Sequence, residues 1–223
     1  MNRIFVALVR SLAFGLAGMV AASSQAQTPH THQHSFSGAQ HWARVFDDPA
    51  RDAWQKPHQV IQALNPAPDA VVADIGAGTG YFSIRLAHFV SKGRVFGVDT
   101  EPDMVKYLAE RAKRDGLANV TAVAGRPDDP RLPEKADLVL MVDVYHHVAD
   151  RSQYFRKLRN SLKPGGKVAI IDFTMDSPIG PPPGGRIAPE RVRAELGAAG
   201  YVLAEEHRFL PNQYFLVFRA EKS

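Results

Sequence analysis

The sequence predicts an α/β domain in which a mostly parallel β-sheet carries helices on both faces. Short apolar runs alternate along the chain with longer segments of helical pattern, and these crossovers are long enough to join parallel strands. The run between Asp137 and Asp143 is apolar throughout, as a central strand covered on both faces has to be. A length of 223 residues with 45% hydrophobic content fits one such domain with a short N-terminal extension.

The first strand leads into a glycine-rich turn. The apolar run Ala70–Ala73 is followed by Asp74-Ile75-Gly76-Ala77-Gly78-Thr79-Gly80, and a helical pattern starts at Tyr81. Three glycines in five positions allow a sharp turn, and without Cβ atoms they let a ligand approach the backbone closely. We therefore predict a ligand that lies against the main chain.

Two coenzymes compete for a turn of this kind. The dinucleotide pattern is G-x-G-x-x-G, whereas here the third glycine, Gly80, comes one residue early and Tyr81 stands where that pattern has glycine. Asp74 would repel a phosphate but would suit a cationic group. S-adenosylmethionine (SAM) carries an ammonium and a sulfonium and no phosphate, so the turn favours SAM over NAD.

The remaining elements follow in order. A second strand ends at Asp99, nineteen residues after Gly80, close to the ~20 residues expected of a carboxylate that binds ribose hydroxyls. The patterns predict helices over Tyr81–Val90, Asp103–Arg114, Gln153–Leu162 and Pro189–Ala199, and strands over Arg94–Asp99, Val168–Phe173, Tyr201–Glu206 and Tyr214–Arg219. The Leu162–Lys167 segment, Leu-Lys-Pro-Gly-Gly-Lys, predicts a turn before the fifth strand.

With the glycine turn and Asp99 at this spacing, the chain resembles the class I SAM-dependent methyltransferases over much of Val71–Phe218. Within that class it is similar to the small-molecule, type 11-like enzymes, here as an exported bacterial form. The resemblance implies a Rossmann-like seven-stranded, mostly parallel sheet with an antiparallel C-terminal strand. It also implies SAM as cofactor, with contacts from Asp74, Gly76, Ala77, Gly78, Gly80, Asp99 and Thr100.

The family's third motif is an acidic residue near the adenine amine, after the third strand. Arg126 stands at its usual position here, so the resemblance moves the expected contact to Asp128 or Asp129. The alternative for these two residues is an ordinary Asp-Pro turn.

Candidate catalytic residues follow the fourth strand, in Val144-Tyr145-His146-His147-Val148. Ligands of open α/β sheets bind outside the carboxyl ends of the strands, and this segment is similar to the V-x-H-H-V of small-molecule and quinone-precursor methyltransferases. His146 and His147 are candidate bases, with ordinary pKa values near ~6.5, while Asp143 and Tyr145 could orient the substrate or the methionyl end. The alternative is that the histidines merely begin a helix.

The N-terminus predicts export. Residues 1–26 combine Arg3 and Arg10 with an apolar run and a small-x-small cleavage site, as a signal peptide does. The expected location is the periplasm or outside the cell, or the cytoplasm if the leader is not used. The apolar run is too short for a stable membrane span. An uncleaved anchor or a transit peptide remains the alternative.

Residues 27–38 form a His-rich flexible segment in which His30, His32 and His34 alternate, a spacing that a metal could use. We interpret it as a polar tail and assign no metal site. Residues 39–66 predict helices carrying Trp42, Phe46 and Trp54, interpreted as a lid over the cofactor or as helices pinned to the sheet by those rings. Residues 67–223 form the predicted methyltransferase domain.

The composition limits the partners. The net charge of +4 falls to +2 without Arg3 and Arg10, and no basic stripe with interleaved aromatics indicates nucleic-acid binding. The absence of cysteine excludes disulfides and thiolate chemistry. A small-molecule methyl acceptor is the expected partner, and the oligomeric state is left open. Two other functions stay in view: an exported binding protein of this fold without catalysis, and an NAD oxidoreductase.

Overall fold

The computed structural model describes residues 38–221. The predictions for the leader and for His-rich residues 27–37 lie outside this part of the chain. The strands are β1 Val71–Ile75, β2 Arg94–Asp99, β3 Val120–Ala124, β4 Ala136–Val142, β5 Leu162–Phe173, β6 Tyr201–His207 and β7 Gln213–Ala220. The helices are α1 Ala39–Phe46, α2 Arg51–Gln55, α3 Pro57–Leu64, α4 Tyr81–Phe89, α5 Pro102–Arg114, α6 Arg151–Leu158 and α7 Pro189–Ala198.

The strands form one seven-stranded sheet in the order β3-β2-β1-β4-β5-β7-β6. Strands β1 to β5 pair in parallel, and β7 runs antiparallel to both of its neighbours, β5 and β6. This confirms the predicted fold class. The strand order reverses between β1 and β4, and ligands of open α/β sheets bind at the carboxyl ends of the strands at such a reversal.

Two apolar layers hold helices against the two faces of the sheet. On one face, α6 and α7 pack through buried residues such as Phe155 and Val192; on the other, α3 and α4 pack through residues such as Val60 and Leu86. Successive residues of β1 alternate between these layers, with Val72 facing α3 and α4 and Ala73 facing α6 and α7.

The segment before the fifth strand differs from the prediction. Pro164, Gly165 and Gly166 were expected to form a separate turn, but β5 begins at Leu162 and contains them. The register with β4 shifts there: Ala136 pairs with Leu162, and Leu138 pairs with Lys167. Extra residues accommodated in a bulge explain why the turn-forming sequence does not interrupt the strand.

The helix after β4 also differs at both ends. It begins at Arg151, where the Asp150 carboxylate accepts a hydrogen bond from the backbone of Gln153, and it gives way to a 3₁₀ turn after Leu158.

Within residues 38–221, none of the helices combines the length and apolar character needed to cross a bilayer.

Candidate active site

The turn between β1 and α4 has a backbone that favours glycine. Gly76, Gly78 and Gly80 have φ angles of 70°, 54° and 94°, in the left-handed region that residues with a Cβ rarely adopt. A Cβ on Gly76 would lie 2.2 Å from Cγ2 of Val144, and one on Gly80 would lie 2.5 Å from Cδ1 of Leu108. Gly76 is exposed, whereas Ala77, Gly78 and Gly80 are buried.

Asp74 supports this turn from inside the protein. Its side chain follows that of Val72 onto the α4 side of the sheet, is almost completely buried, and accepts a hydrogen bond of 2.6 Å from Oγ of Ser83. Burial raises the pKa of Asp74 to about 6, against the lowering effect of the Ser83 bonds. The structure therefore does not bring the Asp74 carboxylate to a ligand-facing surface.

Asp99 lies beside the glycine turn at the end of β2. Its Oδ2 accepts a hydrogen bond of 2.8 Å from the backbone of Gly78, and its Oδ1 accepts one of 3.0 Å from the backbone of Glu101. Burial raises the pKa of Asp99, while these backbone bonds lower it. The structure thus brings together Asp99 and the turn, with exposed Thr100 next to them.

Asp128 and Asp129 lie in the exposed loop after β3. Lys157 of α6 donates a 2.7 Å hydrogen bond to Asp128 and lowers the pKa of its carboxyl group. The Asp129 side chain accepts from the backbone of Arg131 at 2.8 Å. The Asp128 carboxylate thus pairs with α6, and the Asp129 carboxylate contacts its own loop.

A histidine–aspartate pair joins the carboxyl ends of β4 and β5. Nδ1 of His146 lies 2.9 Å from both carboxylate oxygens of Asp172, and the His146 backbone N–H donates to Oδ2 at 3.2 Å. The side chains are 8% and 2% exposed. Because an ionised carboxylate only accepts, Nδ1 carries a hydrogen, and neutral His146 keeps Nε2 as its acceptor.

The pKa of His146 reflects two opposing influences. Burial disfavours the charged imidazolium, but the hydrogen bond and charge of Asp172, together with the charge of Asp143, outweigh it and raise the pKa. An oriented imidazole with a raised pKa is a stronger base than a free one. This arrangement can remove a proton from a bound molecule.

The neighbouring residues have different surroundings. Tyr145 is completely buried, packs its ring against Phe155, and donates its hydroxyl hydrogen to Glu195 of α7 at 2.5 Å. Its side chain therefore belongs to the core and does not reach the surface formed by the carboxyl ends of the strands, which we call the rim. His147 is half-buried, and its ring centroid lies 4.1 Å from that of His146.

Asp143 follows β4 with a left-handed φ of 60°. Its Oδ2 lies 3.3 Å from Nη2 of Arg51, and its Oδ1 accepts a hydrogen bond from the Gln213 amide. Burial raises the pKa of Asp143 to about 7, despite the lowering effect of Arg51.

The helices α1 and α2 cover the carboxyl end of the sheet, and we call them the cap. Phe46 lies over the glycine turn, since a Cβ on Gly78 would meet its ring at 3.3 Å. The ring of Trp54 lies 6.1 Å from that of Phe173, at the end of β5. Asp47 pairs with Arg111 of α5 at 2.8 Å. Phe46 thus contacts the glycine turn, and Trp54 contacts the rim at the end of β5.

Sequence reasoning missed three residues of this site. Asp172 could have been noticed as the one charged residue in the predicted strand Val168–Phe173. Arg51 and Gln213 carry no comparable signal, because their importance arises from contacts over 92 and 70 residues with Asp143.

Comparisons with known proteins agree with this architecture. Residues 67–195 match a family model described as a methyltransferase domain. Protein-L-isoaspartate O-methyltransferase of Aeropyrum pernix is 32% identical over 125 residues, which cover 54% of this chain and 45% of the relative. The UbiE ubiquinone/menaquinone biosynthesis C-methyltransferase of Shewanella sediminis is 28% identical over 117 residues, covering 51% and 47%. The chain thus spans about half the length of these curated relatives.

A solved structure supports the same fold. A SAM dependent methyltransferase from Aquifex aeolicus superposes with a TM-score of 0.73 at 24% identity, covering 78% of this chain and 95% of that one. The family match spans residues 67–195, more than half of the 223 residues. The chain therefore belongs to the methyltransferase-domain family.

Proposed function

We propose that this protein is a SAM-dependent methyltransferase that acts on a small-molecule acceptor. The observation that carries the proposal is the placement of two functional groups at one end of the sheet. The glycine turn with Asp99 follows β1 and β2, and the His146–Asp172 pair follows β4 and β5. The Aquifex aeolicus neighbour is itself described as SAM dependent.

The residues present fit SAM. Exposed Gly76 provides backbone that no Cβ shields, and Asp99 offers a carboxylate that can accept further hydrogen bonds from ribose hydroxyls. When bound, SAM supplies a methyl group on a positively charged sulfur that leaves as a neutral thioether. The protein's own task is to hold the acceptor in line and to remove its proton.

His146 is the residue we assign to proton removal. Its Nε2 can accept the proton of an acceptor hydroxyl or acidic C–H group, and Asp172 stabilises the imidazolium that forms. The adjacent His147 and Asp143 would contact the acceptor or the methionyl end. Asp172 acts through His146 and is a positioning residue.

The rim favours a flat, apolar acceptor. Trp54 and Phe173 place two aromatic rings at the end of β5, and the loop after β5 exposes Met175 and Ile179. Aromatic and aliphatic side chains bind apolar ring systems by burying their surface. A matched relative is named as a ubiquinone/menaquinone biosynthesis C-methyltransferase, which supports an acceptor of this chemistry.

The test combines binding with turnover. Thermal unfolding of the purified protein is measured with SAM and, separately, with NAD, and methyl-tritiated SAM is then incubated with phenols, quinols and a protein substrate. Stabilisation by SAM with label transfer to a small molecule supports the proposal. Stabilisation by NAD alone would refute it, transfer only to protein would refute the acceptor class, and binding of SAM without transfer to any acceptor would favour a non-catalytic binding protein.

We also propose that residues 1–26 export the chain. A fusion of this segment to a reporter that is active only in the periplasm should give signal in a bacterial host. The matched control replaces Arg3 and Arg10 by glutamate, which removes the positive charge that the leader needs. A reporter that stays in the cytoplasm would refute export.

A further inference from the structure

The single 3₁₀ turn that carries His146 is held by a charged cluster outside the catalytic pair. Glu195 of α7 accepts hydrogen bonds from the Tyr145 hydroxyl and from Nε of Arg151, both at 2.5 Å. Arg151, the first residue of α6, also donates to the Val148 carbonyl at 3.0 Å. The turn is therefore held at its first residue and directly after its last one. We call Tyr145, Glu195 and Arg151 the clasp.

The clasp is shielded from solvent and charged. Tyr145 is completely buried, and the side chains of Arg151 and Glu195 are 9% and 19% exposed. Burial disfavours the ionised form of Glu195, but hydrogen bonds from Arg151, Tyr145 and Arg191 outweigh it and lower the pKa of Glu195 to about 2. Burial and the Glu195 carboxylate raise the pKa of Tyr145, so its hydroxyl remains a donor. Hydrogen bonds to an ionised carboxylate are stronger than neutral ones.

The turn depends on this support because it is short. It contains three residues and is closed by backbone hydrogen bonds of 2.9 and 3.2 Å, and such bonds have poorer geometry in 3₁₀ turns than in α-helices. Nδ1 of His146 lies 2.9 Å from Asp172, whereas N–H···O hydrogen bonds extend to about 3.2 Å. A shift of the turn by a few tenths of an ångström would therefore weaken the catalytic pair.

We propose that Tyr145 and Glu195 are positioning residues that hold Nδ1 of His146 against Asp172. The proposal rests on the proposed function, in which His146 takes the acceptor's proton. Tyr145 is buried in the core and acts through the turn rather than by contact with the acceptor. The sequence-based candidate Tyr145 thus serves catalysis from behind the rim.

The variant Tyr145→Phe isolates the clasp. It removes one hydroxyl and keeps the ring that packs against Phe155 at 5.5 Å between centroids. Glu195 retains its bonds from Arg151 and from Arg191 at 2.8 Å, so no buried charge loses its last partner.

The same variant leaves the charges around the imidazole unchanged. The groups that act on His146 or stack with it are Asp172, Asp143, Arg151 and the ring of His147. Because Tyr145→Phe alters none of them, a change in the titration of His146 reports a change in its position.

Tyr201→Phe is the matched control. Tyr201 of β6 belongs to the same apolar layer as Tyr145 and is 2% exposed. Its hydroxyl donates to the backbone carbonyl of Phe155 at 2.9 Å. The control thus removes a buried, hydrogen-bonded tyrosine hydroxyl that does not hold the turn.

Two measurements are made on each variant after thermal unfolding has shown that it is folded. The pKa of His146 is measured by NMR titration of the imidazole, whose signals are identified by their loss in His146→Asn. Methyl transfer from labelled SAM is measured with the acceptor found in the turnover screen described above.

We expect Tyr145→Phe to lower the pKa of His146, because the bond to Asp172 that raises it is weakened. The value of kcat should fall about 10- to 100-fold, while SAM affinity and the acceptor KM stay within about twofold, since misplacing a reacting group by about 1 Å can cost about 10²-fold in rate. Tyr201→Phe should change none of these quantities.

A double-mutant cycle tests the bond itself. In a Glu195→Ala background the Tyr145 hydroxyl has lost its acceptor, so Tyr145→Phe should have no further effect on kcat. An unchanged His146 pKa and kcat in Tyr145→Phe, equal changes in Tyr201→Phe, or a full Tyr145→Phe effect without Glu195 would overturn the inference. An unmodified protein that transfers no methyl group would instead refute the proposed function, and the NMR titration would still test the clasp.

Discussion

Replacement of Asp172 by asparagine tests the proposed base most directly. The carboxylate accepts hydrogen bonds from the backbone of Phe173 at 2.8 Å, from the backbone of His146 at 3.2 Å, and from Nδ1 of His146 at 2.9 Å. An amide has one acceptor oxygen and one NH₂ donor. If the oxygen stays on Phe173, the NH₂ group takes the place of Oδ2, 2.9 Å from Nδ1 and 3.2 Å from the His146 backbone N–H. A hydrogen on Nδ1 would then face a second donor, which favours moving the imidazole hydrogen to Nε2 although the amide oxygen also lies 2.9 Å from Nδ1.

The expected loss follows from that tautomer. With a hydrogen on Nε2, His146 cannot take the acceptor's proton, and turnover should fall by about 10²- to 10⁴-fold, the usual contribution of a general base. Affinity for SAM should change little, because Asp172 does not contact the glycine turn or Asp99. The mutation should therefore act on kcat.

The structure predicts the direction in which turnover and stability change with pH. In the unmodified protein His146 has to be neutral to act, so turnover should rise with pH through its raised pKa. Asp172→Asn should abolish this rise in turnover with pH or shift it to lower pH. For stability, the raised pKa means that the pair stabilises the fold fully below the unfolded pKa of ~6.5, and that this stabilisation is lost as pH rises through the pKa of folded His146.

The assay is methyl transfer from labelled SAM between pH 5 and 9 (about the range over which histidines titrate), with calorimetry for SAM affinity. Asp137→Asn is the control, since Asp137 pairs with Lys163 at 2.7 Å at the other end of β4. A Asp172→Asn variant with normal turnover and an unchanged pH profile would refute the role of His146.

Three further outcomes are expected. Asp99→Ala should weaken SAM binding in calorimetry by about 10- to 150-fold through loss of a charged hydrogen bond, and unchanged affinity would remove Asp99 from the site. His146→Asn should lower turnover at nearly constant SAM affinity, whereas an equal loss of both would make His146 structural. Gly80→Ala should lower the free energy of unfolding, measured by denaturant titration, more than Gly116→Ala does. Both glycines have left-handed φ angles, 94° and 69°. Only at Gly80 would the new Cβ meet another side chain, since it would lie 2.5 Å from Leu108. Similar losses at the two glycines would contradict this.

The fold could be predicted because its signals are local. Helix α5 occupies Pro102–Arg114, one residue more than the predicted Asp103–Arg114, and β4 differs by one residue at each end from the predicted run between Asp137 and Asp143. The β5 boundary could not be predicted, because the Pro-Gly-Gly sequence favours a turn locally while pairing with β4 continues the strand.

The candidate site was only partly accessible from the sequence. Asp99 was found because its spacing from the glycine turn reflects one strand–helix–strand unit. The direction of the Asp74 side chain depends on strand alternation and on the presence of Ser83 nine residues later. The fully buried position of Tyr145 depends on the docking of α7, which supplies Glu195 fifty residues away. Contacts between residues so far apart in the sequence leave no local pattern from which they could be predicted.

The packing of Leu108 gives the glycine turn a structural role as well. A Cβ on Gly80 would lie 2.5 Å from Leu108 Cδ1, and one on Gly97 in β2 would lie 2.2 Å from its Cδ2. One buried leucine of α5 thus fills the space left by two missing methyl groups. The last glycine of the turn thus also makes room for α5 to dock. A smaller side chain at position 108 should remove the clash of a Cβ on Gly80, but the left-handed φ of 94° would still disfavour alanine there.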